Sequence, residues 1–284
     1  MYQNIKVTVI ISVYKDTQSL KLILNSLLNQ TINEFEIIVS EDCESYEMKE
    51  LLLKYNQFGI IHLSQKDNGW KKNVSLNNAV RKSTGDYLIF IDGDIIPYSD
   101  FVQKHIESIT NERILCGKRV ELGPVFSKMI RKNFLSAYVL EKLFYFFLPF
   151  VALDKARHIE EGIKVKKGSK LEQRLNRKRP MIIGCNFSCF KIDFIFINGF
   201  DEDYITPSVG EDIDLTWRLQ YFGIDSKSVR YLANTFHLYH PRIWDNDNVK
   251  HNNKIMKEKW DNEEYICKNG YKKIEYKTVT EIVN

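Results

Sequence analysis

The chain has 284 residues, 44% hydrophobic and 27% charged, enough to bury a sizeable core; this excludes a disordered tail and fits one large α/β domain or two small ones. Lys+Arg 41 against Asp+Glu 37 gives a net charge of +4, too even for a nucleic-acid coat protein, so no nucleic-acid partner is expected and any basic function is local. The five cysteines, Cys43, Cys116, Cys185, Cys189 and Cys267, contain no C-x-x-C pair, which argues against a disulfide framework or structural zinc and for a reducing cytosol.

The apolar stretch Val7 to Val13 is too short for the core of a signal peptide and lacks a small-residue cleavage site, so it reads as a first strand. Leu20, Ile23, Leu24, Leu27 and Leu28 then recur at three and four, one face of a helix. Further strands are predicted at Phe35 to Val39, Ile60 to Leu63 and Tyr87 to Ile91, with a helix over Val74 to Lys82. Strands alternating with helices predict an α/β fold with an open, mostly parallel sheet. Ligands of such sheets sit outside the carboxyl ends of the strands, where the polar clusters after Val13, Val39 and Ile91 fall.

Residues 134–153 are dense in aromatics but contain Glu141, Lys142 and Pro149, so they fall short of the roughly 20 uninterrupted apolar residues of a spanning helix. From Lys155 to Pro180 there are ten Lys or Arg against three Glu, more positive charge than the whole chain's net. An aromatic stretch beside a basic one suits a bilayer surface with anionic lipids; a buried helix followed by a mobile, solvated loop is the other reading. Strand-like pieces follow at Met181 to Ile183 and Phe187 to Phe190. A helix is predicted after Gly210-Glu211-Asp212-Ile213-Asp214, because Leu215, Leu219 and Phe222 share a face. Acids in a first helical turn suit the helix dipole, so at least one of the three has a structural use. Beyond Arg242 the polar residues predict a helical or loose tail.

Three clusters carry chemistry. Asp92-Gly93-Asp94 closes a buried strand and projects two hard oxygen ligands, suited to a divalent cation that bridges nucleotide phosphates, although such triplets also occur in plain turns. Glu211-Asp212 supplies a partly shielded carboxylate able to act as a general base toward a hydroxyl. His237 and His240 offer imidazoles to complete a metal site, or serve as structural hydrogen-bonding residues.

Taken in order, VIISVYKD, EIIVSED, DNGWKKNVSLNNAVRKSTGDYLIFIDGDIIP, GCNFSCFKIDFIFINGFDEDY and GEDIDLTWRL resemble a family 2 glycosyltransferase of the GT-A fold over about residues 5–242. The part from Gly184 onward is similar to the catalytic half of β-1,4-galactosyltransferases and bacterial chondroitin-type polymerases. The resemblance implies that Tyr14 and Asp16 meet the nucleobase and ribose, and that Glu41 and Asp42 stand for the acidic pair on the base, with Cys43 departing from the usual D-D-G-S. It implies Lys71 and Lys72 near the diphosphate, with a solvated loop as the alternative. Asp92 and Asp94 then form the metal and diphosphate motif, joined by His237 with His240 in reserve. Asp212 is the implied base and Glu211 a positioner of sugar or acceptor hydroxyls, while Asp214 is a structural acid. Gly184, Asn186 and Ser188 belong to a G-x-N-x-S segment near the donor sugar. Trp217 and Trp244 are expected to pack, and Cys185 and Cys189 to be buried thiols.

The implied division is a GT-A domain over residues 1–242, with a nucleotide-binding half at 1–117, an aromatic and basic insertion at 118–180 and a catalytic, acceptor-binding half at 181–242, followed by a polar extension at 243–284. The implied reaction is an inverting, Mn²⁺- or Mg²⁺-dependent displacement. It moves a hexose or N-acetylhexosamine from a UDP-sugar to a glycan or lipid-linked acceptor, as in bacterial lipopolysaccharide or capsule synthesis. No Q-x-x-R-W motif is visible, so one sugar per encounter is expected. The expected place is the cytoplasm, with peripheral contact at the inner face of the membrane. A GT-A domain that binds nucleotide-sugar or a partner without turnover is the alternative. No G-x-G-x-x-G follows Val13, against a dinucleotide-binding enzyme.

Overall fold

The computed structural model describes residues 5–207, 210–241 and 245–273. In chain order the elements are β1 (Val7–Val13), α1 (Thr17–Leu28), β2 (Glu36–Glu41), α2 (Tyr46–Leu53), β3 (Ile61–Ser64), α3 (Lys72–Lys82), β4 (Tyr87–Asp92), β5 (Ile95–Pro97) and α4 (Phe101–Ser108). There follow β6 (Arg113–Cys116), β7 (Val120–Glu121), α5 (Pro124–Arg131), α6 (Ala137–Lys142), α7 (Phe144–Leu153), α8 (Lys170–Leu175), β8 (Asn186–Phe190), α9 (Lys191–Phe196), α10 (Glu211–Tyr221), β9 (Asp225–Ser228), β10 (Thr235–His237) and α11 (Asn246–Asp261).

Seven strands form one sheet in the order β3-β2-β1-β4-β8-β6-β9, and β5, β10 and β7 form a second, three-stranded one. The large sheet is mostly parallel, with β8 antiparallel to both β4 and β6. The order of its first four strands runs outward from β1 in both directions, so a crevice opens between the ends of β1 and β4, where ligands of such sheets bind.

Period-two alternation gives the sheet two apolar faces. Val7, Val9, Ile11 and Val13 of β1 pack with Leu20, Ile23, Leu24 and Leu27 of α1. On the other face Ile10, Ile38, Leu88 and Phe90 pack with Leu76, Ala79 and Val80 of α3 and with Leu215 and Leu219 of α10. Phe90, a central residue of β4, stacks on Phe187 of β8 with ring centroids 4.6 Å apart.

Several expectations are corrected. Helix α3 starts at Lys72, two residues before the predicted Val74, which puts the Lys72 side chain in its first turn. Residues 181–183 are not a strand; Ile182 is buried without one. Residues 134–153 do not form a buried helix: they make the short helices α6 and α7, in which only Leu140, Glu141, Phe144 and Val151 are buried. Nor is the basic segment after them a free solvated loop. Lys164 reaches both Asp100 and Glu141 at 2.8 Å, and Arg230 pairs with Glu161. Beyond residue 245, α11 docks onto the domain through Lys259, whose Nζ lies 2.7 Å from Asp201 and 2.8 Å from Asp203. Among the described residues no helix is long and apolar enough to cross a membrane.

Candidate active site

The turn after β4 positions the first carboxylates. Gly93 separates them because a side chain there would sit 2.9 Å from the Ser12 carbonyl of β1. Strand β10 then runs antiparallel to β5 with His237 opposite Ile95, and the Leu238 N–H donates to the Asp94 carbonyl at 3.0 Å. This pairing brings together residues more than a hundred positions apart: Asp94 Oδ2 lies 3.3 Å from His237 Nε2 and 3.2 Å from His240 Nε2. Helix α5 fixes the loop between the two histidines, since Ser127 Oγ accepts from the Tyr239 N–H and Arg131 Nη1 donates to the Tyr239 carbonyl, both at 2.8 Å.

Burial disfavours the Asp94 carboxylate, but hydrogen bonds from His237 and His240 outweigh it and hold the group well below the usual carboxylate range. The same bond to Asp94 raises His240. One ligand atom from each of Asp94, His237 and His240 falls within 4.8 Å of the others, and Asp94 Oδ1 is buried without a hydrogen-bond partner. One carboxylate and two imidazoles with an unused, buried oxygen fit a divalent transition cation.

Helix α10 supplies the second pair of acids. Gly210, at φ 130° and packed against the Tyr204 ring, allows the chain to enter the helix so that Glu211 and Asp212 fall in its first turn. The Gly184 N–H donates to Asp212 Oδ2 at 3.2 Å. Lys72 ties this pair to the strand end: its Nζ is 2.8 Å from Asp92 Oδ1 and 4.0 Å from Glu211 Oε1. Burial alone would lower the Lys72 ammonium, but Asp92 and Glu211 raise it overall, so it stays charged. Burial pushes Glu211 up to about 7, with the Lys72 charge opposing and Asp212 reinforcing the rise. Glu211 Oε2 is buried and has no partner.

The structure separates residues that the sequence treats alike. The cluster of close ligand atoms is Asp94, His237 and His240, without Asp92, whose carboxylate pairs with Lys72. Glu41 is fully buried and accepts from Ser45 N and Oγ, and its other oxygen lies 2.8 Å from His62 Nε2, so it holds a loop instead of facing a base. Asp42 accepts from the Lys71 N–H at 2.7 Å and from Gln65 Nε2 at 2.6 Å, and burial raises it despite these bonds. Lys71 thus contributes through its backbone. Asp16 caps α1 by accepting from Ser19 N and Oγ. Tyr14 is half exposed at the crevice and donates to Asp67, which also binds Lys15 at 2.7 Å. Of the G-x-N-x-S segment only Gly184 faces the acids. Asn186 is fully buried, donating to the carbonyls of Lys118 and Ala233, and Ser188 Oγ meets Tyr87 and His105.

The structural use foreseen for Asp214 is seen: it is buried against Arg218 Nε at 2.8 Å. Trp217 packs against Trp260 and Tyr265, and Cys185 and Cys189 are buried. Trp244 lies outside the described residues. Sequence reasoning missed Arg119, whose Nη1 donates to Cys185 Sγ at 3.0 Å and whose charge is felt at Asp92. It also missed Ser127 and Arg131, because a helix that braces a loop from outside carries no local motif.

With this geometry established, comparison with known proteins places the chain. The family profile for glycosyl transferase family 2 matches residues 8–191, and that for the N-terminal domain of galactosyltransferase matches residues 169–241. The chain belongs to glycosyl transferase family 2. It is similar to a hyaluronan synthase of Pasteurella multocida, 23% identical over 240 residues that make up 80% of this chain and 24% of that protein. It is similar to a chondroitin synthase of Escherichia coli, 24% identical over 234 residues, 78% of this chain and 33% of that protein. It thus spans a quarter to a third of these relatives. Among solved structures, S. aureus TarS superposes with a TM-score of 0.57 at 14% identity, covering 89% of this chain and 39% of that one. GalNAc-T7 with UDP, GalNAc and Mn²⁺ superposes at 0.63 with 13% identity, over 90% of this chain and 48% of that one. The fold is that of the GT-A glycosyltransferases.

Proposed function

We propose that this chain is an inverting, metal-dependent transferase that moves one hexose or N-acetylhexosamine from a UDP-sugar to a hydroxyl of a glycan or lipid-linked glycan in surface polysaccharide synthesis. The observation that carries the reading is the convergence of Asp94, His237 and His240 at the strand-end crevice, tied through Asp92 and Lys72 to Glu211 and Asp212. Matches to polysaccharide synthases support the reaction class, and bound UDP and Mn²⁺ in GalNAc-T7 support the donor and ion. PcManGT from Pyrobaculum calidifontis, in complex with GDP-Man and Mn²⁺, shares the fold at a TM-score of 0.55. The working unit in this reading is residues 1–242, with the insertion at 118–180 on the acceptor side.

In this reading Asp94, His237 and His240 hold Mn²⁺ or Mg²⁺, which when bound offsets the charge of the leaving diphosphate. Tyr14, exposed at the crevice, is placed to stack on the base. Lys72 neutralises the carboxylates of Asp92 and Glu211 and is the cation best placed to meet phosphate oxygens. Asp212, steered by the Gly184 N–H, takes the proton of the acceptor hydroxyl as it attacks the anomeric carbon from the face opposite the nucleotide. Glu211, poised near neutrality, donates or accepts a hydrogen bond to a sugar hydroxyl.

The test is calorimetric titration of UDP and a panel of UDP-sugars with and without Mn²⁺, on wild type and on Asp94→Ala. Metal-dependent UDP binding that the variant loses is expected. UDP binding that ignores both the ion and the substitution overturns the metal assignment, and no UDP binding under any condition overturns the donor.

A further inference from the structure

Helices α5, α6 and α7 and the turns beside them leave exposed large apolar side chains that the core does not use. Phe134, Tyr138, Tyr145, Phe146, Phe150 and Leu153 are all exposed, Phe146 by 67% and Leu153 by 82%. On α7 the rings form a cluster: Phe146 touches Phe147 and Phe150 at centroid distances of 5.3 and 6.1 Å, and Phe147 meets the buried Phe126 of α5 at 6.0 Å. On the outer side of α5, Val125, Lys128, Met129 and Lys132 enclose with Phe134 an open apolar hollow of about 600 Å³.

Within residues 124–157 the exposed charges have one sign. Between residues 124 and 157 stand six Lys or Arg and two acids. Both acids turn inward: Glu141 is buried against Ser99 and Lys164, and Asp154 accepts the Val125 and Phe126 N–H groups that open α5. Lys128, Lys132, Lys142 and Lys155 remain exposed, and Lys142 lies 4.9 Å over the Tyr138 ring.

Aromatic rings with a basic rim match the headgroup boundary of a bilayer, where ring insertion and attraction to anionic lipid add. A second copy of the chain would set the same basic rim against itself. With ten residues, α7 is too short to span a bilayer and suited to lie within its surface. We propose that the α5–α7 face docks this protein on an anionic lipid surface. Because Ser127 and Arg131 of α5 also hold the His237–His240 loop, docking sets the orientation of the site relative to the bilayer.

The test is flotation of the full chain with vesicles of phosphatidylcholine alone and of phosphatidylcholine mixed with phosphatidylglycerol. Wild type is expected to float with the mixed vesicles only, and less at high salt. Phe146→Ser with Phe150→Ser abolishes flotation, and Lys128→Glu with Lys132→Glu weakens partitioning by at least about fivefold per lysine. Both variants are expected to keep the wild-type melting temperature and UDP titration. Wild type that floats with neither vesicle, or variants that float like wild type, overturn the proposal. So does a dimer on size exclusion that the Phe variant abolishes without any vesicle binding. Loss of the UDP reading leaves flotation untouched, so the two proposals fail separately.

Discussion

Asp212 and Glu211 are neighbours with different surroundings, and the proposed function gives them different tasks on that ground. Asp212 is held by the Gly184 N–H on the strand side, while Glu211 is pushed up by burial and faces Lys72. Asp212→Asn keeps shape and removes the proposed proton acceptor. Steady-state kinetics should show kcat falling by about 10²–10⁴-fold, with UDP affinity by calorimetry unchanged. Retained kcat would move the base role to Glu211. At this scale Asp94, Glu211, Asp212 and His237 could be singled out as candidates because the order of their motifs resembles a known family; each residue type taken alone also has ordinary structural uses. The roles of Glu41 and Asn186 were not legible. Whether such a group faces a crevice or the interior depends on which donors the fold brings to it, here Ser45 and His62 for the one and the carbonyls of Lys118 and Ala233 for the other.

At the scale of elements, α5 is the brace of the histidine loop, and its start depends on Asp154, which accepts the N–H groups of Val125 and Phe126 at 3.0 and 2.8 Å. Asp154→Ala should cost about 1 kcal/mol in chemical denaturation and loosen Mn²⁺ binding through Tyr239, whereas loss of stability without an effect on Mn²⁺ would show α5 to be scaffolding only. Helix α4 is tied to β8 through the buried His105, which lies 2.8 Å from Ser188 Oγ and 3.2 Å from Asn186 Oδ1. Burial lowers His105 to about 4, so the folded protein keeps it neutral while the unfolded chain takes up a proton below about pH 6.5. Its contribution is fully present above about pH 6.5 and is lost as pH falls toward 4, up to about 3 kcal/mol. Urea melts at about pH 7 and about pH 4.5 should show this loss in wild type and a smaller one in His105→Gln. Equal losses in both would place the acid sensitivity elsewhere. The strands of the large sheet were readable from their apolar runs, whereas β5, β7 and β10 have two or three residues each and too few alternations to announce themselves.

For the molecule as a whole, residues 245–273 belong to the packed body, not to a loose extension. Lys259 is almost fully buried between Asp201 and Asp203, Trp260 meets Trp217, and Cys267 is enclosed under the 197–200 turn. Asp201 is already raised to about 6 by burial and by Asp214, with Lys259 opposing, so removing that cation strands a buried carboxylate. Lys259→Met should lower stability by about 3 kcal/mol in denaturant titration. An unchanged midpoint would show that α11 contributes little to the body. By itself the sequence determined the α/β class and marked candidate reactive groups at the strand ends, because apolar periodicity and side-chain type are local properties. Only the tertiary structure decided which carboxylates remain open to a ligand, how β10 carries His237 and His240 to Asp94, and that α6 and α7 turn their aromatics outward. Those outcomes depend on pairing and burial between residues far apart in the chain, and no local pattern encodes the partner that a side chain will meet.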